Sequence, residues 1–273
     1  MNEQRIIDHL VHWLDLVCEE KGQKGFVVGV SGGVDSAVAS ALCARTDKAT
    51  YCVELPIRQA LDQVARAERH TRALERDFRR VRRISKDLTG VFEELSATLR
   101  EGVPEGGPDE LALVNTRSRL RLGALYYYAA TYSCLVVGTG NKVEQQGVGF
   151  FAKYGDGGMD LSPLGDLSKT EVYALAKALR VDPAIIDAAP TDGLWDDGRT
   201  DLDQIGATYP ELEWAMDLRE GGADTKGMKL SKRQRRVLKI YDERHADNRH
   251  KIAEPPVAPI PFSWRDRSTV ARD

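Results

Sequence analysis

The stretch Gly29-Val30-Ser31-Gly32-Gly33-Val34-Asp35-Ser36 decides the fold of this 273-residue chain. It directly follows the apolar run Phe26-Val27-Val28 and leads into residues 37–42, which are compatible with a helix. Glycines let backbone N–H groups approach oxyanions closely, and a helix N-terminus adds partial positive charge. The loop is not a Walker A motif, because it contains no lysine. This order of strand, Ser/Gly loop and helix predicts a phosphate-binding site.

Strands and helices alternate along the chain on both sides of this loop. The predicted strands lie near 26–30, 49–55, 79–84 and 135–137. The predicted helices lie near 3–20, 59–77, 109–132, 168–180 and 231–246. Such alternation predicts an α/β fold, a doubly wound and mostly parallel sheet with helices on both faces. The glycine-bearing loops 29–33 and 138–140 both follow strands directly, so we expect them on the same rim of the sheet.

The length of the chain is sufficient for one well-buried core. We therefore expect a single domain over residues 1–273, with residues 247–273 as an extended C-terminal tail. The prolines at 255–261 exclude regular structure in that part of the tail.

The composition and net charge of the chain argue against some classes of function. The net charge is −3, and no apolar run approaches the roughly 20 residues that span a bilayer. We expect a soluble protein that contacts neither nucleic acid nor membrane. The four cysteines are scattered without C-x-x-C spacing, which fits buried free thiols in a reducing cytoplasm.

Several motifs together indicate a family. The first loop resembles the S-G-G-x-D-S loop of the N-type ATP pyrophosphatases, which bind the β,γ-pyrophosphate of ATP and release it whole. The runs 138–144 (Gly-Thr-Gly-Asn-Lys-Val-Glu) and 149–158 (Gly-Phe-Phe-Ala-Lys-Tyr-Gly-Asp-Gly-Gly) make the chain similar to the NAD synthetases. Further matching segments follow in order, and the likeness covers roughly residues 5–220. They are 119–121, 160–173 and 190–195, with a weaker echo at 250–251.

That resemblance implies a reaction of ATP, nicotinic acid adenine dinucleotide and ammonia that yields NAD, AMP and pyrophosphate. A carboxylate does not accept ammonia directly, because oxide would have to leave. Attack on the α-phosphorus of ATP forms an acyl adenylate, from which AMP leaves readily. Magnesium is the implied metal, since hard oxygen ligands and Mg²⁺ neutralise a triphosphate. The implied partners are a second copy in a homodimer and a separate glutaminase, unless ammonia is used free.

The family's functional positions carry over residue by residue. The implied metal ligands are Asp35 and Glu144. Lys169 and Asp156 are the catalytic candidates, and Asp156 is expected to assist deprotonation of ammonium. The implied ATP-binding residues are Gly29, Ser31, Gly32, Gly33, Asp35, Ser36, Arg119, Thr139, Lys169 and Thr191. The implied substrate-binding residues are Phe150, Phe151, Lys153, Asp160, His250 and Lys251.

The chain departs from the family pattern in two places. It is one residue longer before Phe150, so we expect residues 145–148 to bulge. In a loop expected near the substrate, Leu202 replaces an acidic residue and 198–199 looks like a small insertion. These changes leave open whether nicotinic acid mononucleotide replaces the dinucleotide. Two other readings stay open: adenylation of a different acceptor, and a non-catalytic ATP-binding protein.

Overall fold

Four parallel strands form the centre of the fold, in the order β3-β2-β1-β4. The structure is a computed structural model that describes residues 1–103, 109–195, 197–222 and 228–265. The strands are β1 (Gly25–Gly29), β2 (Ala49–Glu54), β3 (Val81–Ser85) and β4 (Cys134–Val137). In the register of the sheet, Val27 pairs with Tyr51 on one side and with Val136 on the other.

The helices account for most of the remaining described residues. They are α1 (Glu3–Glu20), α2 (Val34–Ala44), α3 (Leu61–Asp77), α4 (Thr89–Arg100), α5 (Asp109–Tyr132), α6 (Lys169–Ala178), α7 (Pro183–Ile186), α8 (Asp201–Ile205), α9 (Tyr209–Glu220) and α10 (Lys232–Ile252). A π-helix covers Val143–Val148 and a 3₁₀ turn covers Phe262–Trp264. The sequence did not predict α4, α7, α8 or α9. No helix in the described ranges is both long and apolar enough to cross a membrane.

The alternation of side chains along β1 places apolar groups on both faces of the sheet. Phe26 and Val28 belong to a core shared with α1, α2, α3 and α6. Val27, between them, belongs to a second core that packs against α5. Because successive residues of a strand point to opposite faces, both layers of helices are anchored by the same strand. The doubly wound α/β prediction is confirmed.

A third apolar cluster lies outside the two layers. It joins the π-helix, α8, α9 and α10 through residues such as Val148, Leu212 and Val237. Helix α10 continues to Ile252, so the predicted start of the tail at 247 was wrong. The backbone hydrogen bonds of this basic helix continue for six residues beyond 246, where its sequence pattern predicted the end. Residues 266–273 of the predicted tail lie outside the described part of the chain.

A buried polar pair connects α2 and α3 directly behind the phosphate loop. The Nε2 atom of His70 lies 2.9 Å from the hydroxyl of Ser40, which also donates to the carbonyl of Ser36 at 2.7 Å. His70 is 6% exposed, and burial lowers its pKa to about 4. His70 is therefore a neutral packing residue of the native fold.

We expect this histidine to make folding stability depend on pH. Between its ordinary pKa near 6.5 and about 4, the unfolded chain binds a proton that the native state excludes. Stability is therefore lost as pH falls through this range, by up to about 3 kcal/mol. Asp201 acts in the opposite direction, because burial raises its pKa to about 6. The measurement is chemical unfolding from pH 7 to pH 4 of wild type and His70→Gln. The stability of the variant should fall less than that of wild type, and parallel curves would contradict the prediction.

Candidate active site

The phosphate loop occupies the carboxyl end of β1 and leads into α2. The backbone N–H of Ser31 donates to the hydroxyl of Ser36 at 3.2 Å, and that hydroxyl donates to the carbonyl of Gly33 at 3.0 Å. Gly33 is the N-cap residue of α2, and as a glycine it has no side chain that could cap the helix. The first amides of α2 thus lack a capping side chain, which suits binding of an anion.

Gly32 is required by the geometry of this loop. Its φ is +87°, and a Cβ there would lie 2.5 Å from the carbonyl oxygen of Gln63 in α3. Gly22 also has a positive φ, +62°, but a Cβ there would meet nothing within 4 Å. An alanine at 22 would meet only backbone strain, whereas an alanine at 32 would meet both backbone strain and steric overlap.

Replacing each glycine with alanine measures this difference. We expect Gly22→Ala to lower the free energy of unfolding by about 1 kcal/mol, from the left-handed conformation alone. Gly32→Ala should cost at least about 3 kcal/mol, because α3 must also move. Thermal or urea unfolding of both variants checks the prediction. Equal losses would mean that the contact with α3 contributes nothing.

Lys169 joins the two helices that follow the glycine-bearing loops. Its ammonium lies 2.5 Å from Asp35 Oδ2, in the first turn of α2, and 3.1 Å from Glu144 Oε1, in the π-helix. The lysine side chain is only 5% exposed. The capping box of Ser168 and Glu171 fixes the start of α6, and so positions Lys169 at its first residue. One buried cation is thereby shared by two carboxylates.

Tyr209 and Asp201 extend this cluster. The Tyr209 hydroxyl lies 2.5 Å from Glu144 Oε1 and 2.8 Å from Asp201 Oδ2, and its ring lies 4.6 Å from the Lys169 ammonium. Asp201 Oδ1 is buried and has no hydrogen-bond partner among the described residues. The sequence pattern did not single out either residue for the site.

Burial and charge compete in this cluster. Burial raises the pKa of Asp35, and Glu144 adds to this effect, whereas the Lys169 ammonium opposes it. Burial lowers the pKa of Lys169, but the carboxylates of Asp35 and Glu144 outweigh burial and raise its pKa overall. Lys169 is therefore a fixed positive charge at neutral pH.

The donor set fits Mg²⁺. Asp35 and Glu144 already bind one cation jointly, and Mg²⁺ in nucleotide sites usually takes one or two carboxylates together with substrate phosphates and waters. Across the described ranges no group of three or more His, Cys, Asp or Glu side chains could hold a metal alone. A metal here would complete its ligands from phosphate and water.

Asp156 lines the same cleft. Its Oδ1 accepts the Ser118 hydroxyl at 2.7 Å and the Ala152 backbone N–H at 2.9 Å. The cleft leaves this side chain accessible to water, while the surrounding protein still desolvates it and raises its pKa. Such a carboxylate is a better proton acceptor than an ordinary one.

The structure brings most of the predicted residues to one cleft. Those that line it are Gly29, Ser31, Gly32, Gly33, Asp35, Thr139, Glu144, Phe150, Asp156, Lys169 and Thr191. Ser36 lies directly behind the loop and holds it through the hydrogen bonds given above.

Arg119 lies outside the cleft. It is exposed, and its guanidinium donates to the carbonyl of Lys153 at 3.1 Å. Arg121, two residues further along α5, lines the cleft and donates to the carbonyl of Leu55 at 2.9 Å and to Gln59 at 2.7 Å. Burial, reinforced by Arg117, lowers the pKa of Arg121 to about 10. Arg119 therefore lies outside the described cleft, whereas Arg121 lines it.

Four of the predicted substrate residues form a second group at the end of α10. The Lys251 ammonium donates to the carbonyls of Gly149 and Phe151 at 3.2 and 3.1 Å, and Lys153 donates to the carbonyl of His250 at 2.5 Å. None of these four residues lines the cleft.

Asp160 also lies apart from the cleft. It accepts the backbone N–H of Val136 at 2.8 Å and the hydroxyl of Tyr126 at 3.0 Å. In this single chain its visible role is to fasten the segment after the π-helix to β4.

The two departures from the family pattern have different outcomes. Where the bulge at 145–148 was expected, the chain forms a π-helix over Val143–Val148, a wider turn than that of an α-helix. Leu202, by contrast, is 48% exposed and does not line the cleft, whereas its neighbour Asp201 does. The expectation that Leu202 lies near the substrate is not supported in the described cleft.

A Ser/Gly loop at the end of a central parallel strand, facing a buried lysine, defines an α/β enzyme of the kind that binds ATP through its phosphates. The sequence model of the family described as NAD synthase matches residues 6–255, and the chain belongs to this family. The family relationship assigns it a ligase activity, the ATP-dependent formation of NAD from ammonia.

Individual relatives agree with this assignment. The NH(3)-dependent NAD(+) synthetase of Syntrophomonas wolfei is 38% identical over 97% of this chain and 100% of its own. The enzyme of the same name from Archaeoglobus fulgidus is 34% identical over 95% and 98% of the two chains.

Solved structures share the fold. The NMN synthetase of Francisella tularensis superimposes with a TM-score of 0.81 at 30% identity, over 96% of this chain and 99% of that one. The NH3-dependent NAD synthetase of Campylobacter jejuni has a TM-score of 0.76 at 23% identity, over 95% and 100%. At that identity the second likeness shows the fold alone.

Proposed function

We propose that the chain activates the carboxylate of nicotinic acid adenine dinucleotide as an acyl adenylate and then transfers it to ammonia, with AMP and pyrophosphate as the other products. One observation carries the proposal. The buried Lys169 ammonium lines the cleft with the phosphate loop and is shared by Asp35 of α2 and Glu144 of the π-helix. A fixed positive charge and two hard oxygen donors beside the phosphate loop support binding of a triphosphate there.

In the first half-reaction, the substrate carboxylate attacks the α-phosphorus of ATP and pyrophosphate leaves. The amides at Gly32 and Gly33 and the hydroxyl of Ser31 would bind the pyrophosphate oxygens, and Lys169 would neutralise charge that develops on them. Thr191 also lines the cleft, and its hydroxyl, which donates to the carbonyl of Arg199 at 2.9 Å, would have to leave that carbonyl in order to donate to a phosphate. Mg²⁺ held by Asp35 and Glu144 would supply further charge neutralisation when bound.

In the second half-reaction, ammonia attacks the activated carbonyl and AMP leaves. Ammonium predominates at neutral pH, so a proton must be removed before the nitrogen can attack. Asp156 is the proposed acceptor, because it lines the cleft and desolvation by the surrounding protein raises its pKa.

The predicted substrate residues outside the cleft support a homodimer. The resemblance assigns the second group and Asp160 to the dinucleotide, yet these five residues lie outside the cleft of their own chain. They would serve that role if they bound substrate at the site of a second copy. We further propose that the enzyme works in the cytoplasm on free ammonia or on ammonia from a separate glutaminase.

A second candidate keeps the chemistry and changes the substrate to nicotinic acid mononucleotide. The likeness to the Francisella tularensis NMN synthetase favours it, at the higher TM-score of the two structures compared above.

The test is release of pyrophosphate from purified protein with ATP, Mg²⁺ and ammonium, with each nucleotide offered separately and the amide product identified by mass. Release with the dinucleotide and formation of NAD support the first candidate. Release with the mononucleotide alone supports the second. No release with either would reject both in favour of another acceptor or an ATP-binding protein.

A further inference from the structure

The hydroxyl of Ser118 makes an unusual contact for a residue inside a helix. Serine and threonine within helices commonly donate to the carbonyl four residues earlier. Two threonines of α5 do so, since Thr116 donates to Ala112 at 2.8 Å and Thr131 donates to Tyr127 at 2.8 Å. Ser118, on the same helix and 4% exposed, instead donates to Asp156 Oδ1 at 2.7 Å.

The contact is reciprocal. The same Ser118 oxygen accepts the backbone N–H of Asp156 at 2.8 Å, so one hydroxyl fixes both the main chain and the side chain of that residue. With the Ala152 N–H, two donors converge on Oδ1. No described residue donates to Oδ2, which is left as the free oxygen of the carboxylate.

The neighbouring glycine keeps the contact short. A Cβ on Gly155 would lie 2.5 Å from Ser118 Oγ and 2.9 Å from Ser118 Cβ. Only glycine at 155 therefore lets the loop approach α5 closely enough for Ser118 to reach Asp156. Ser118, Gly155 and Asp156 also line the cleft together.

We propose that Ser118 is a positioning residue for the ammonia half-reaction, which orients the Asp156 carboxylate so that Oδ2 faces the incoming ammonium. This inference rests on the proposed function of Asp156. The donated hydrogen bond stabilises the charged carboxylate, and it therefore opposes the rise in pKa that desolvation by the surrounding protein causes.

Other charged groups around Asp156 also influence its pKa. Glu144 of the π-helix raises the pKa of Asp156. Arg121 of α5 and Lys251 of α10 interact with its charge from the other sides. Replacement of Ser118 leaves all three in place, so a change in pH dependence would report the lost hydroxyl.

The experiment compares Ser118→Ala with Thr116→Ala, which removes a hydroxyl from the same helix but one that contacts only its own backbone. In Ser118→Ala we expect kcat/KM for ammonium to fall at least about tenfold. The acid limb of its pH profile should move to higher pH, because the carboxylate loses a donor. The KM for ATP should change less than twofold, and Thr116→Ala should match wild type. Ser118→Cys, with its weaker donor, should lie between wild type and alanine.

The variant Asp156→Asn distinguishes the proposed role of Asp156 from the proposed role of Ser118. If this variant keeps the rate and pH profile of wild type, the proposed role of Asp156 fails. If Asp156→Asn is inactive but Ser118→Ala and Ser118→Cys both keep the wild-type profile for ammonium, the positioning role of Ser118 alone is overturned. Should Ser118→Ala fail to fold, the cysteine variant decides by the same comparison.

Discussion

Replacing Lys169 with methionine is expected to lower pyrophosphate release by about 1,000-fold and the free energy of unfolding by about 3 kcal/mol. Methionine fills a similar volume, so the loss would come from charge and not from a cavity. Without the ammonium, Asp35 and Glu144 would face each other as partly buried carboxylates without a cation. The measurements are the pyrophosphate assay and urea unfolding of the same preparation.

Lys142→Met provides the matched control. Lys142 also pairs with a carboxylate, Glu220 at 3.0 Å, but this pair is much more accessible to solvent, with side chains 25% and 47% exposed. An exposed pair of this kind contributes at most about 1 kcal/mol. Similar stability losses in the two variants would show that the burial of Lys169 has no energetic consequence. Full activity in Lys169→Met would remove the lysine from the reaction.

Asp35→Asn is expected to be the complementary case, with pyrophosphate release lowered by about 1,000-fold and stability changed by less than about 1 kcal/mol. The amide oxygen can still accept from Lys169, and Glu144 still pairs with the lysine at 3.1 Å. What the variant lacks is the second charged oxygen donor for Mg²⁺. Release should be measured over a range of Mg²⁺ concentrations, with partial recovery expected at the highest.

Asp166→Asn makes the same chemical change at the surface, where the side chain is 98% exposed. It should behave as wild type in both assays. A rate in Asp35→Asn within tenfold of wild type, with the same Mg²⁺ dependence, would reject Asp35 as a metal ligand.

The position of the two glycine-bearing loops on one rim of the sheet could be predicted. It depends only on the local pattern of apolar residues and on one topological rule. The apolar runs at 26–28 and 135–137 identified two strands, and the carboxyl ends of parallel strands meet at one edge. The structure places β1 and β4 side by side, with Phe26 paired to Leu135. This register carries Asp35 and Glu144 to the same lysine.

The sequence could not predict which of Arg119 and Arg121 enters the cleft. They are two residues apart on α5, so they point to different sides of the helix. Both fit the same sequence motif, and only the packing of α5 against the sheet decides which one enters the cleft. The phase of a long helix is fixed by tertiary contacts that the motif does not contain.

Tyr209 and Asp201 were missed for a related reason. They reach the site through the third apolar cluster, which α9 and α10 complete from distant parts of the chain. Asp201 comes from α8, a helix of five residues with no detectable periodicity of its own. A short helix held by long-range packing leaves little trace in a single sequence.

The four cysteines have a practical consequence. Cys18, Cys43, Cys52 and Cys134 lie in α1, α2, β2 and β4, and all four are buried. Burial raises the pKa of Cys52 to about 12 and that of Cys134 to about 11, so thiolate, the reactive form, is scarce. Alkylating reagents should therefore modify each thiol only when its own element opens. The natural chain thus contains four chemical reporters of local opening, spread over the helices and strands that support the cleft.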